Sequence, residues 1–344
     1  MKKLRKIVSA ILLTAMVAFA AGCTPEDDPT NNGGNNNGGD YNGGNVTPEV
    51  PTIPTGAVDG KFSINDQGGK VYFSQGNLQY QASTNTWRFA EHPWDHVMGK
   101  YGFGEGTQYG NVAGSDNTLA SADYAGWQDL FSWGTSGWSD GVIAYQPYLI
   151  LTVFHFDEYY LLGDDPNNGL VGQYANADWG IYNAISNGGN QSGLWRTLTK
   201  DEWEYVIGSR EGNRFCKAQV EGANGIILFP DGWDNTIYSL NGVNMQGVNW
   251  DSNVISGTTW KSTLEPAGLV FLPTTGERVA RLNGDHWDIR LDLDDNYGDY
   301  WSSTPFVNDI GYGAYEFSFN KNYVRLYENG RWRGLAVRLV QDVH

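Results

Sequence analysis

Cysteine is nearly absent from this chain, with only Cys23 and Cys216 in 344 residues. The fold therefore cannot be a disulfide framework, and its stability has to come from burial. Basic residues are also short, 22 Lys and Arg against 39 Asp and Glu. A balance of that sign repels phosphate and argues against DNA or RNA as a partner. Long apolar stretches are confined to the uncharged run over residues 7–21, which is short for a bilayer span. Helical patterning is scarce, so the fold has to be built mainly from strands and irregular segments.

What the chain does have begins with a leader. Lys2, Lys3, Arg5 and Lys6 precede the apolar run, the layout of a secretory signal over residues 1–22. Ala20, Ala21 and Gly22 before Cys23 resemble the lipobox of bacterial lipoproteins, with Ala20 where leucine is usual. The resemblance implies acylation of Cys23. Ordinary signal-peptidase cleavage is the competing reading of the same small residues. Glu26, Asp27 and Asp28 resemble the acidic tag that directs some lipoproteins to the outer face of the outer membrane. Removal of residues 1–22 takes four basic residues and no acidic one, leaving 18 against 39 and a net charge of −21. With Cys23 lipidated, Cys216 has no partner. Residues 23–58, rich in Gly, Asn and spaced Pro, read as a tether, and residues 59–344 as one large domain.

Within that domain, "KVYFSQGNLQYQ" and "YEFSFNKNYVRLYENGRW" alternate apolar and polar residues between Gly, Asn and Asp, which predicts short antiparallel strands and long loops. The clearest helix is in "LTKDEWEYVIGSR". Thr199 and Glu202 have capping-box spacing, Leu198 and Trp203 that of a hydrophobic staple, and Gly208 is a stop signal. Together these predict the α+β class.

Near the C-terminus, Asn329-Gly330 between two alternating runs predicts a type I′ hairpin. That pairing puts Tyr327 opposite Trp332 and Arg325 opposite Gly334. Val324, Leu326, Leu335, Val337 and Leu339 would share the core face, and Tyr323, Arg325, Tyr327, Trp332 and Arg338 the other. Residues 297–332 hold eleven aromatics, about twice the density of the chain as a whole. Phe317 and Phe319 read as core. Tyr323, Tyr327 and Trp332 are either covered by another element or form a recognition surface, and the neighbouring Arg325, Asn329 and Arg331 favour recognition.

Two segments carry a family resemblance. "LWRTLTKDEWEYVIGSR" is similar to the formylglycine-generating-enzyme branch of the C-type lectin-like fold. "DYWSSTP…AYEFSF…VRLY…GRWRGLAVRLV" resembles the closing strands of that fold in secreted paralogues and in the variable proteins of diversity-generating retroelements. The resemblance implies a C-type lectin-like domain. Carried over by position, Trp301, Ser302, Gly334 and Arg338 would be scaffold. Phe306, Asn308, Asp309, Tyr312, Tyr323, Arg325, Tyr327, Asn329 and Trp332 would form a ligand-binding face, diversified or fixed. Formylglycine-generating enzymes use paired cysteines, and this domain has only Cys216, so that activity is not expected.

Other constellations are weaker. Glu202 and Glu204 read as a cap and a first-turn acid, not as catalytic carboxylates. Asp292, Asp294 and Asn296 begin an EF-hand spacing that Tyr297 and Ser303 break, leaving an irregular calcium loop or a solvated acidic one. His92 and His96 have Pro93 between them and lack a third zinc ligand. Ser136 in "WGTSGW" lacks a nucleophile frame and reads as a turn between tryptophans. No cofactor or metal is expected. The expected function is binding of an extracellular glycan or protein by an outer-membrane lipoprotein; an enzyme acting on surface polysaccharide and a structural subunit are the alternatives.

Overall fold

A computed structural model describes residues 52–96, 110–111, 122–139, 146–148, 162–163, 165–283, 286–292, 296–308 and 311–344. The leader, Cys23, Asp294 and Asp309 lie outside them. Among the described residues no helix is long and apolar enough to cross a membrane.

The class is α+β, with short strands in small sheets and few short helices. Strands β1 (Ala57–Ser63) and β2 (Lys70–Ser74) form a hairpin whose turn is closed by Asn65 Oδ1, which accepts from the Gln67 and Gly69 amides. The last strand, β16 (Leu339–Asp342), pairs with β2 on one side and with β6 (Arg196–Thr197) on the other. Strands β3 (Leu78–Gln81) and β4 (Thr86–Phe89) make a separate hairpin. A second four-stranded sheet orders β10 (Val270–Pro273), β8 (Ala223–Leu228), β7 (Phe215–Val220) and β9 (Val254–Ile255). β11 (Glu277–Asn283) pairs with β12 (His286–Asp292), which meets the short β5 (Gly110–Asn111). A three-stranded sheet is formed by β13 (Gly298–Asn308), β14 (Gly311–Phe319) and β15 (Val324–Gly330), all antiparallel.

The core is divided by its sheets. Phe215, Ile226, Leu228, Val270 and Leu272 on one face of the β7–β8–β10 sheet pack with Phe62, Phe73, Trp203, Tyr300, Phe317 and Phe319. The opposite face, with Cys216, Ala218, Ile227 and Phe271, buries Trp260 and Leu264. A third cluster joins Trp87, Phe131, Trp179 and Trp195 to Trp301, Leu335, Val337 and Leu339. Burial on both faces explains why β8 and β10 read as continuous apolar runs, whereas one-sided burial would have made them alternate.

The helix over Lys200–Glu204 starts at a capping box formed by Thr199 and Glu202. Leu198 and Trp203 are both fully buried, in keeping with the staple spacing. Trp203 stacks on Phe317 at 4.8 Å, which couples this helix to β14. Gly208 does not stop it. The chain continues through a π-helical turn over Tyr205–Ser209 and becomes extended at Arg210, whose buried side chain donates to the Val206, Arg214 and Phe229 carbonyls.

The C-terminal hairpin is corrected. β15 pairs with β14, setting Glu316 opposite Tyr327 and Ser318 opposite Arg325, and does not pair with residues 331–335. Neither Asn329 nor Gly330 has positive φ, as a type I′ turn requires. Instead the two continue the strand, and the chain turns through Gly330 and Arg333 before leaving the sheet. Arg331 is the physical reason. Its side chain is fully buried, donates to the Gly313 and Pro166 carbonyls at 2.8 and 2.6 Å, and lies 4.4 Å over the Trp133 ring. Once that guanidinium is drawn inward, Leu335 pairs with Phe131, and Gly334 and Ala336 bridge to Arg278 and Tyr300.

Candidate functional site

The β13–β14–β15 sheet is buried on both faces near β13 and opens toward β15. On one face Tyr300, Phe317, Phe319 and Val324 enter the core. On the other, Trp301 and Ala314 are buried beneath Leu335 and Val337. Trp301 Nε1 donates to the Phe131 carbonyl at 2.7 Å, and Ser302 Oγ to that of Tyr315 at 2.7 Å. Ser302, Gly334 and Arg338 are buried as well. Arg338 thus leaves the face that the hairpin assigned to it; one of its terminal nitrogens donates to Asn77 Oδ1 at 3.3 Å.

Along the open margin, the Arg325 guanidinium lies between two rings, 4.1 Å from the centroid of Tyr323 and 4.2 Å from that of Tyr327. The local chain explains the arrangement. Asn320 Oδ1 accepts from the Asn322 and Tyr323 amides, closing a tight turn that sets Tyr323 just ahead of β15. The strand period then puts Arg325 and Tyr327 on one face. Tyr327 is 44% exposed and Arg325 is exposed, while Tyr323 is half-buried. Of the residues that the sequence groups on this face, Tyr323, Arg325 and Tyr327 come together.

The remaining predicted positions divide. Asn329 continues the same face of β15, opposite Ala314. Phe306 lies on the other face of the sheet, edge-on to Tyr315 at 5.3 Å. Tyr312 stands opposite Val307, and Asn308 opposite Gly311, at the far end of the β13–β14 hairpin. Trp332 is half-buried, lies over Gly330 and receives the Arg333 guanidinium at 4.9 Å. No ring contact among the described residues joins it to the Tyr323–Arg325–Tyr327 stack.

Beneath the stack is a group that sequence reasoning missed. Asp299, Glu316 and Ser318 share the face of Arg325 and Tyr327. Ser318 Oγ donates to Asp299 Oδ1 at 2.7 Å and lies 3.5 Å from the Tyr323 hydroxyl. Glu316 is 2% exposed and takes a hydrogen bond from the Asn329 side chain, while its Oε2 has no partner among the described residues. Burial pushes the Asp299 carboxyl up to about 6, against the pull of the Ser318 hydrogen bond; the carboxylate of Glu277 also raises it, while Arg333 and Arg325 oppose. Burial, and then Asp299, raise Glu316 well above the usual range. Arg333 is paired with Glu277 at the rim. These diagonal neighbours therefore release their protons at higher pH than isolated carboxyls do. The available signal was "YEFSF": with Phe317 and Phe319 inward, Glu316 and Ser318 must face the other way. Their company with Arg325 appears only once the β14–β15 pairing is known.

No family model, curated protein or solved structure matches the chain.

The other constellations have structural roles. Glu202 accepts both terminal nitrogens of Arg196 at 2.8 Å, in addition to its capping role. His92 stacks on Trp94 at 4.9 Å, and no group of three metal-ligating side chains occurs among the described residues. Ser136 Oγ donates to the Asn176 carbonyl at 2.6 Å, in a turn that follows the buried Trp133. Cys216 is fully buried, and burial pushes its thiol far above the ordinary range, so it is not a nucleophile at neutral pH.

Proposed function

We propose that this chain is a cell-surface lipoprotein, acylated at Cys23 and held at the outer membrane, whose C-type lectin-like domain binds an extracellular glycan at the β15 margin. The observation that carries this reading is the exposed Tyr323–Arg325–Tyr327 stack. Two aromatic side chains flank a cation that has no ion-pair partner among the described residues, at the open edge of a sheet buried on both faces near β13, a surface suited to stacking on sugar rings and hydrogen-bonding their hydroxyls. The fold reading is supported by the two segments that carry the resemblance: they pack together through Trp203 and Phe317, and the Lys200 amide donates to Thr304 Oγ1 at 3.0 Å. A screen of the purified full chain against immobilised glycans tests the binding claim: retention without turnover supports it, and retention of protein ligands alone contradicts it. Codons 297–340 compared across related isolates distinguish two forms of this reading. Changes concentrated at Tyr323, Arg325 and Tyr327 beside a reverse transcriptase indicate a diversified receptor, and an invariant stretch a fixed ligand.

A second reading has its own observation behind it. The buried carboxyls of Asp299 and Glu316, both pushed above their ordinary range, lie next to that aromatic margin, and glycoside hydrolysis uses two carboxyl groups with separated proton affinities. Release of reducing sugar from a surface polysaccharide, abolished by Glu316→Gln, would replace the binding reading with an enzymatic one.

A further inference from the structure

Behind the edge of β15, on the side away from β14, is a cavity of about 410 Å³. Its size is in the range of small-ligand sites. Ile207, Phe215 and Leu326 supply an apolar part. Gln246 closes one end, its Oε1 accepting from the Val324 amide at 2.6 Å and its Nε2 donating to the Val324 carbonyl at 3.2 Å. The side-chain amide thus occupies the place of a neighbouring strand.

The charged lining runs against the rest of the molecule. In a chain of net charge −17, this cavity is lined by Lys200, Arg214 and Arg325 with Glu204 as its one carboxylate. Among the described residues none of the three donates a hydrogen bond to a carboxylate, although Lys200 is ion-paired with Glu204 and Asp201. Lys200 Nζ is 3.7 Å from Glu204 and 3.8 Å from Asp201, both beyond hydrogen-bond reach. Among the described residues the Arg214 guanidinium donates only to carbonyls, those of Ile207 at 3.0 Å and Arg210 at 3.3 Å. Arg325 is held by the two tyrosine rings and has no ion pair among the described residues.

We propose that this cavity is the subsite for the carboxylate of an acidic sugar, so that the glycan recognised at the β15 margin is a uronate-bearing one. The inference rests on the glycan reading above and names its chemical class. Arg325 is one of the cavity's lining residues, and its guanidinium stacks between the two tyrosines on the face of β15 opposite Leu326, so the cavity and the surface for sugar rings adjoin along one strand. Arginine and lysine recognise carboxylates by charge-assisted hydrogen bonds, and a part-enclosed site strengthens them. A polar lining fits a hydroxylated ring with one acidic substituent better than it fits an apolar ligand.

The test uses the full chain and three probes, oligogalacturonate, oligomannuronate and oligoguluronate, each as the free acid and as the methyl ester, titrated by calorimetry. The proposal predicts that at least one free acid binds ten-fold or more tighter than its ester, and that the preference shrinks as salt rises. Lys200→Met should narrow the preference several-fold, with its melting temperature confirming the fold; the esterified probe tests the same charge without altering the protein. Equal binding of acid and ester overturns the inference. So does binding of neutral glycans with no binding of any uronate, which leaves the glycan reading standing. Failure to bind any glycan removes both.

Discussion

Arg325 and Arg331 lie six residues apart and are used in opposite ways. Arg331 is withdrawn completely from solvent, donates to two carbonyls and covers the Trp133 ring. Arg325 stays exposed, touches two rings and has no ion pair among the described residues. A guanidinium whose donors are met by backbone carbonyls fixes the chain; one held only by stacking keeps its donors for something else. The same contrast separates the two margins of the sheet, β13 buried on both faces and β15 open.

The strongest way to break this comparison is to truncate both arginines. Arg331→Ala leaves the Gly313 and Pro166 carbonyls without their donor and opens a void beside Trp133, so urea unfolding should show a loss of about 3 kcal/mol or more. Arg325→Ala should cost under about 0.5 kcal/mol in the same experiment. Equal losses would mean that the open margin is structural. Glu202→Ala removes half of a capping box and a two-point partner of Arg196, and about 2 kcal/mol of destabilisation is expected, read as a lowered urea midpoint.

The carboxyl group under the stack sharpens the comparison through pH. Burial pushes Asp299 up to about 6 from an ordinary 3.8. Between about pH 4 and pH 6 the folded chain therefore keeps a proton that the unfolded chain has lost, and stability falls as pH rises through that window. Asp299→Asn abolishes this contribution, so wild type should lose about 2 kcal/mol relative to the variant between pH 4 and pH 7. Asp178, also pushed up to about 6 by burial, is present in both chains and cancels in the difference. The smallest stability effect belongs to Tyr327→Ala: with its side chain 44% exposed, thermal unfolding should shift by no more than about 1–2 °C.

Local signals in the sequence were reliable where they could be satisfied locally. The capping box over Thr199 and Glu202 needs four consecutive residues and formed as its spacing demands. Strand alternation separated Phe317 and Phe319 from the polar face and grouped Tyr323, Arg325 and Tyr327. The Asn329-Gly330 hairpin failed because a long-range contact won: burying Arg331 against Gly313, Pro166 and Trp133 draws residues 331–338 out of the sheet. That single departure moved Arg338 into the core and separated Trp332 from the tyrosines. Asp299, Glu316 and Glu277 come from three strands, and only pairing distant in sequence brings them together. The Lys200, Arg214 and Arg325 lining is of the same kind, since its members are far apart in the chain.

The central claim is that the open margin recognises and the buried margin supports. It is tested most directly by titrating a glycan retained in the screen against wild type and the Tyr323→Ala/Tyr327→Ala double variant, with thermal unfolding recorded on the same samples. The account predicts at least a ten-fold loss of affinity, about 1.4 kcal/mol, with an almost unchanged melting temperature. Undiminished binding by a correctly folded double variant would contradict it.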